Sequence, residues 1–341
     1  MLPKAKWFEF KIARNTMNEN KPLVSIKCTV YNHEPYLRQC LDGFVMQKTN
    51  FSFEAIVHDD ASTDGSAAII REYAEKYPDI IKPIYETENQ YSKKDGSLGR
   101  IMNAAVHPKA KYIALCEGDD YWIDPLKLQK QVDILEATQA SLVYSLAKVY
   151  NEKSGQMSNM IAGLPYVDVE TLILRNPIPT LTALMRKDVY FRYRQEFQIN
   201  PNWKMGDFPM WIWIAIHGKI LFMNEITGVY RVLENSASHS VDSNKTLMFQ
   251  QSVLDIQLYF IHHYIKSEKL ATACKLNFYK NNRAVAFASN QKIAFFKEAS
   301  SFYNDNHYIL PSLFSRIYMK CPFLFFLISK LEGLYWRIIK K

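Results

Sequence analysis

Phe53-Glu54-Ala55-Ile56-Val57-His58-Asp59-Asp60-Ala61-Ser62-Thr63-Asp64-Gly65-Ser66 is the stretch that decides the fold class. An apolar run ends in an acidic turn, and Ile69, Ile70, Tyr73 and Tyr77 follow at helical core spacing. That order reads as strand, loop, helix. Upstream, Val24–Val30 alternates enough to be a strand. Tyr31-Asn32-His33-Glu34-Pro35 is a turn, and Leu37, Leu41, Phe44 and Val45 lie on one helix face. Strands alternating with helices favour a parallel sheet with right-handed crossovers. A further apolar strand, Tyr112-Ile113-Ala114-Leu115, runs into Cys116-Glu117-Gly118-Asp119-Asp120-Tyr121-Trp122. Ligands of such sheets bind beyond the carboxyl ends of the strands. The strand ends near Thr29, Asp60 and Asp119 therefore predict one site along one edge.

Adjacent carboxylates at such an edge raise each other's pKa unless something positive joins them. A divalent cation that also holds a substrate phosphate is the natural partner for Asp119 and Asp120. The plainer reading is a polar turn or a helix cap, and the pair alone leaves both open.

Taken together, these segments resemble the family 2 glycosyltransferases of the GT-A fold, bacterial enzymes that build surface polysaccharides. The resemblance rests on Val24-Ser25-Ile26, Thr29-Val30-Tyr31-Asn32, Cys40-Leu41-Asp42-Gly43 and Phe53–Ser66. It continues through Glu117–Trp122, Gly206-Asp207-Phe208-Pro209 and Tyr230-Arg231, in order over roughly residues 22–240. It implies a Rossmann-like α/β sheet with helices on both faces, a nucleotide-sugar donor, most simply a UDP-sugar, and Mn²⁺ or Mg²⁺. Thr29, Tyr31 and Asp60 are then expected around the nucleobase, with Asp60 accepting the uracil N–H. The family's metal motif has two Asp one residue apart. Here Glu117 stands first, which implies Asp119 as metal ligand, Glu117 nearer the ribose and Asp120 as the rival ligand.

The same resemblance makes Asp207 the base that deprotonates an acceptor hydroxyl in a single inverting displacement. Asp is also a common helix cap, and the apolar Met210-Trp211-Ile212-Trp213 run follows it. Arg231 and Arg100 are expected at the diphosphate, and His239 in the metal shell. Among the aromatics, Trp211 and Trp213 read as core, and Trp203 is the expected acceptor platform.

Composition bounds the remainder. A chain of 341 residues with 48% hydrophobic residues can build one large domain and an accessory piece. The expected division is a leader over 1–21, a catalytic domain over 22–240, a helical region over 241–305 and a tail over 306–341. In the helical region Leu247, Leu254, Leu258, Ile261 and Ile265 form a stripe. Cys28, Cys40, Cys116, Cys274 and Cys321 lack metal-ligand spacing and read as reduced thiols. No apolar window is long enough to span a membrane, and the first residues do not read as a signal peptide. A cytoplasmic enzyme is expected.

The net charge of +8 could serve nucleic acid, an anionic membrane or an acidic substrate. The tail carries Arg316, Lys320, Lys330, Arg337, Lys340 and Lys341 against Glu332 alone, interleaved with aromatic and aliphatic residues. That make-up suits the interface of an anionic membrane; beside it, the resemblance implies a glycan acceptor, in particular a lipid-linked one. No nucleic-acid motif is present. Thr29–Pro35 has no Gly, Lys or Arg, which counts against a nucleotidyltransferase that cradles a triphosphate. A non-catalytic nucleotide-sugar-binding module of the same fold is the remaining alternative.

Overall fold

The computed structural model describes residues 21–234 and 240–339. The expected leader up to residue 20, His239 and the terminal lysines lie outside the described residues. Val24–Val30 is β1, Glu34–Val45 α1, Phe53–Asp59 β2 and Ser66–Lys76 α2. Ile81–Tyr85 is β3, Ser97–Ala104 α3 and Tyr112–Leu115 β4. These strands are parallel and lie in the order β3-β2-β1-β4. The direction of winding reverses at β1, so a crevice opens above the ends of β1 and β4.

The chain then crosses the sheet. Tyr121–Trp122 forms β5, Lys127–Thr138 α4, Leu142–Asn151 β6, Gln156–Ala162 β7 and Val169–Leu174 α5. Leu184–Arg186 is β8, Lys187–Glu196 α6, Asp207–His217 α7 and Ile220–Val232 β9. The sheet continues β4-β8-β6-β9-β5, with β7 beside β6, and counts nine strands among the described residues. Side chains alternate between its faces. Ala55, Val57 and Ala114 share a core with Leu41, Phe44, Ile70 and Leu128 of α1, α2 and α4. Ile56 and Ile113 share the other with Met102, Tyr190 and Trp211 of α3, α6 and α7. Helix α7 is apolar on every side, and Trp211 and Trp213 are buried as expected.

Ser243–Phe260 (α8), Glu268–Asn281 (α9), Arg283–Ala288 (α10) and Lys292–Asp305 (α11) extend that second core. Asp242 caps α8 by accepting from the Asn244 and Lys245 amides. Of the expected stripe, Leu247, Leu254 and Ile261 are buried, and Leu258 and Ile265 pack partly buried against them. The tail forms Ile309–Lys320 (α12) and Phe325–Ile339 (α13). Ser312 joins α12 to α11 through Ser300, with 3.0 Å between their hydroxyls. Fully buried Glu332 of α13 pairs with Arg283 at 2.5 Å and accepts from the Tyr318 hydroxyl at 2.9 Å. Among the described residues, no helix is long and apolar enough to cross a membrane.

Candidate active site

The turns after β1 and β2 are zipped together by polar side chains. Asn32, with a left-handed φ of 55°, accepts from the Thr63 amide, and its own amide donates to Ser62 Oγ. The His33 amide donates to Ser66 Oγ, the Glu34 amide to Asp64, and the Gly65 amide to Glu34. The Ser-Thr-Asp-Gly-Ser run thus satisfies backbone donors at two helix starts. Buried Asp60 accepts from the Gln90 amide at 2.6 Å and the Tyr91 amide at 3.0 Å, tying the loop after β3 to the end of β2. Each of its oxygens keeps a second lone pair. Tyr31 is exposed and Thr29 half-buried beside them.

Residues 116–120 close against β1: the Cys116 amide donates to the Lys27 carbonyl and the Gly118 amide to that of Thr29. A Cβ on Gly118 would lie 2.8 Å from His33 Nδ1 and 2.9 Å from Val30 Cγ2, so glycine alone permits this approach. Underneath, the buried thiols of Cys28 and Cys40 stand 3.9 Å apart, and Cys40 also contacts the Glu117 carbonyl.

Three carboxylates follow with different fates. Glu117 reaches solvent, but the cleft walls surround it. That enclosure, then the charges of Asp119 and Asp207, pushes its carboxyl up to about 7. Asp119 is half-buried, and its Oδ1 is shut away from solvent with no hydrogen-bond partner. Its charge also reaches His33, whose Nδ1 is likewise unpartnered; burial still holds that imidazole below its ordinary value. Asp120 turns inward, accepting from the Arg231 amide at 2.7 Å, and burial followed by the charge of Asp119 raises its carboxyl well above normal. Asp120 Oδ1 thus fastens β9 to the motif, and of the two rival ligands Asp119 is the one with an unpartnered oxygen.

Asp207 arrives from α7. The N-cap is Gly206, and the Asp207 side chain caps nothing beyond its neighbour's amide, that of Phe208 at 2.8 Å. Its Oδ2 accepts from Thr180 Oγ at 2.6 Å. First-turn placement favours its negative charge through the helix dipole, and Thr180 fixes its orientation. The charge of Asp207 reaches Glu117, so the two carboxylates share one electrostatic neighbourhood.

Other expected site residues have different surroundings. Arg231 is buried and spends its guanidinium on the Asp119 carbonyl, Glu152 and Gln39. Its guanidinium carbon lies 4.7 Å from the Tyr36 ring centre and 5.2 Å from that of Tyr150. These contacts tie the Asp119 backbone to Glu152 and to Gln39 of α1. Arg100 is exposed and held by Asp95. Trp203 is half-buried: it stacks on Phe197 with ring centres 6.1 Å apart and meets Tyr259 edge-on at 5.4 Å, bridging α6 and α8. Trp122 is core, its indole N–H donating to the Leu181 carbonyl.

Among the described residues, no group of three His, Cys, Asp or Glu side chains is arranged to hold a metal unaided. Thr180 carried no sequence signal, since it lies in a short 3₁₀ turn behind Pro177 and Pro179. Lys27 carried one, the single charge inside an otherwise uncharged strand.

An open α/β sheet with acidic turns above its switch point is the setting in which such sheets bind their ligands, and the architecture is that of the GT-A class. Residues 25–211 match the family described as Glycosyl transferase family 2. The chain belongs to that family and is a glycosyltransferase. It is 32% identical to an uncharacterized protein of Mycobacterium tuberculosis over 72% of this chain and 71% of that one. It is 27% identical to the UDP-Glc:α-D-GlcNAc-diphosphoundecaprenol β-1,3-glucosyltransferase WfaP of Escherichia coli, over 71% of this chain and 90% of WfaP. Among solved structures, S. aureus TarS superposes with a TM-score of 0.56 at 15% identity, covering 82% of this chain and 48% of TarS. This chain thus spans about half of TarS. The TarS 1–349 fragment with UDP-GlcNAc superposes at 0.53 with 12% identity, covering 87% of this chain and 91% of the fragment. At these identities the structural likeness speaks for the fold.

Proposed function

We propose that this glycosyltransferase moves a sugar from a UDP-sugar to a lipid-linked glycan acceptor by one inverting displacement. It would work at the cytoplasmic membrane face in surface polysaccharide synthesis. The observation that carries the reading is Asp207, held by Thr180 and within the electrostatic reach of Glu117. Thr29, Tyr31 and Asp60 bind the uracil, Asp60 through the lone pairs its loop contacts leave spare. Glu117 accepts from the ribose. Asp207 orients the acceptor hydroxyl and takes its proton. The oxygen bonds to C1 from the face opposite the diphosphate, and the C1–O bond breaks with its electron pair leaving on UDP. Attack from the opposite face inverts the centre.

The residues fit a divalent cation. Magnesium-type sites take one or two carboxylates plus substrate phosphates, and the unpartnered Oδ1 of Asp119 beside Glu117 offers that donor set. Asp119 would hold the ion, with Glu117 near it; when bound, the ion neutralises charge on the departing diphosphate.

UDP-GlcNAc bound to TarS and the UDP-glucose and diphosphoundecaprenol in the name of WfaP support the donor and acceptor classes. The tail supports the location. Phe323, Phe326, Leu327, Leu331 and Leu334 are exposed along one side of the tail. Glu332, the single acid there, is buried on Arg283, so the outward charges of Arg316, Lys320, Lys330 and Arg337 are all basic. An anionic lipid surface matches both properties.

The test is thermal stabilisation by UDP-, GDP-, CMP- and dTDP-sugars with and without Mn²⁺. A ligand that binds only the folded state raises its stability. Metal-dependent stabilisation by a UDP-sugar, lost in Asp119→Ala, is expected. Asp207→Asn should keep the binding and lower kcat roughly 10²–10⁴-fold. No response to any nucleotide sugar at saturation would overturn the donor assignment.

A further inference from the structure

Two neighbouring cations against α3 and α6 lack an acidic partner among the described residues. Lys27 of β1 donates to Asn103 Oδ1 and Tyr190 Oη, both at 2.8 Å, and lies over the Tyr190 ring. Burial, then the like charge of Arg194, lowers its ammonium to about 7. Arg194 itself is half-buried, and among the described residues its guanidinium has no hydrogen-bond acceptor, carboxylate or aromatic ring as partner. A guanidinium cannot shed its charge, and its forked donors match an oxyanion. Leaving it half-desolvated beside a second cation is costly unless an anion joins them.

Topology puts Arg194 at the site. Because β8 runs antiparallel to β4, pairing Arg186 with Tyr112, α6 climbs toward the edge where β4 ends. Arg194 lies in the last turn of α6. Its Nη2 is 3.3 Å from where a Cβ of Gly99 would stand. Gly99 begins α3 directly after the loop that Asp60 secures. On the other side, the neighbouring Tyr193 hydroxyl feels the charges of both Arg194 and Asp207, so the two lie in one electrostatic neighbourhood.

We infer that Arg194, backed by Lys27, anchors an oxyanion carried by the donor, either a diphosphate oxygen or a carboxylate on the sugar. This rests on the donor reading above, and it reassigns the anion contact from Arg231 and Arg100, which are occupied elsewhere.

Calorimetric titration of the full chain with Mn²⁺ tests it, using uridine, UDP, UDP-glucose and UDP-glucuronate on wild type, Arg194→Gln, Arg194→Lys and Lys27→Met. Arg194→Gln should weaken UDP roughly 10- to 100-fold and leave uridine unchanged, with Arg194→Lys in between. A loss confined to UDP-glucuronate relative to UDP-glucose identifies the sugar carboxylate as the anion. Lys27→Met should weaken the same ligand by a smaller factor, and it decides the matter if Arg194→Gln does not fold. Unchanged affinity for UDP and UDP-glucuronate in the Arg194 variants, or in Lys27→Met where it must decide, overturns the inference while the donor reading stands. A wild type that binds none of the UDP ligands removes both.

Discussion

Thr180→Val is the sharpest test of the proposed chemistry, because it keeps side-chain volume and deletes one donor. The Thr180 hydroxyl donates to Asp207 Oδ2 at 2.6 Å. A hydrogen bond to a charged group contributes about 1.5–3 kcal/mol. If all of that served to orient the base, kcat would fall roughly 10- to 150-fold. The expected fall is near the lower end, about tenfold, because the Phe208 amide still holds the other oxygen. KM for the donor should stay the same, and Thr180→Ser should restore kcat. The assay is steady-state release of UDP, with melting temperature as the control for folding. A kcat within twofold of wild type would refute the positioning role; a matching loss in both Val and Ser would indicate packing instead.

Lys127 is buried beneath the motif, over the Trp122 ring and bonded to Gln131, and burial lowers its ammonium to about 7 from 10.5. The unfolded chain holds that proton up to a higher pH, so the stability Lys127 permits is present above about 10 and is lost as pH falls toward 7. Lys127→Met should be more stable than wild type at pH 7, by about 1–3 kcal/mol after the orphaned Gln131 oxygen is counted, and flatter from pH 7 to 10; denaturant melts that coincide across this range would disprove it. Phe323 and Phe326 are 81% and 76% exposed. Phe323→Asp with Phe326→Asp should abolish sedimentation with phosphatidylglycerol vesicles while leaving melting and UDP-sugar binding intact. Equal sedimentation of the double variant would remove the membrane role.

The parallel core was readable because its strands are apolar and its turns acidic. Burial periodicity and turn chemistry are local, so Val24–Val30, Phe53–Asp59 and the helix faces carrying Leu41 and Ile70 lay close to their expected bounds. The antiparallel half was not legible. A two-residue strand at Tyr121–Trp122 and a three-residue one at Leu184–Arg186 are too short to carry a period, and pairing across the sheet alone defines them.

The sequence by itself determined the family, the sheet edge that carries the candidate site and the acidic residues at that edge, because those depend on residue type and local order. Only the tertiary structure decided what each charge does. Asp119 and Asp120 are neighbours of one chemical type, yet one holds an unpartnered oxygen and the other is bonded to the Arg231 amide. Arg231 and Arg194 are both arginines of the cleft region, yet the first is saturated by Glu152, Gln39 and a backbone carbonyl while the second has no such partner among the described residues. Solvation and partnership set the behaviour of a charge, and both come from residues distant in the chain.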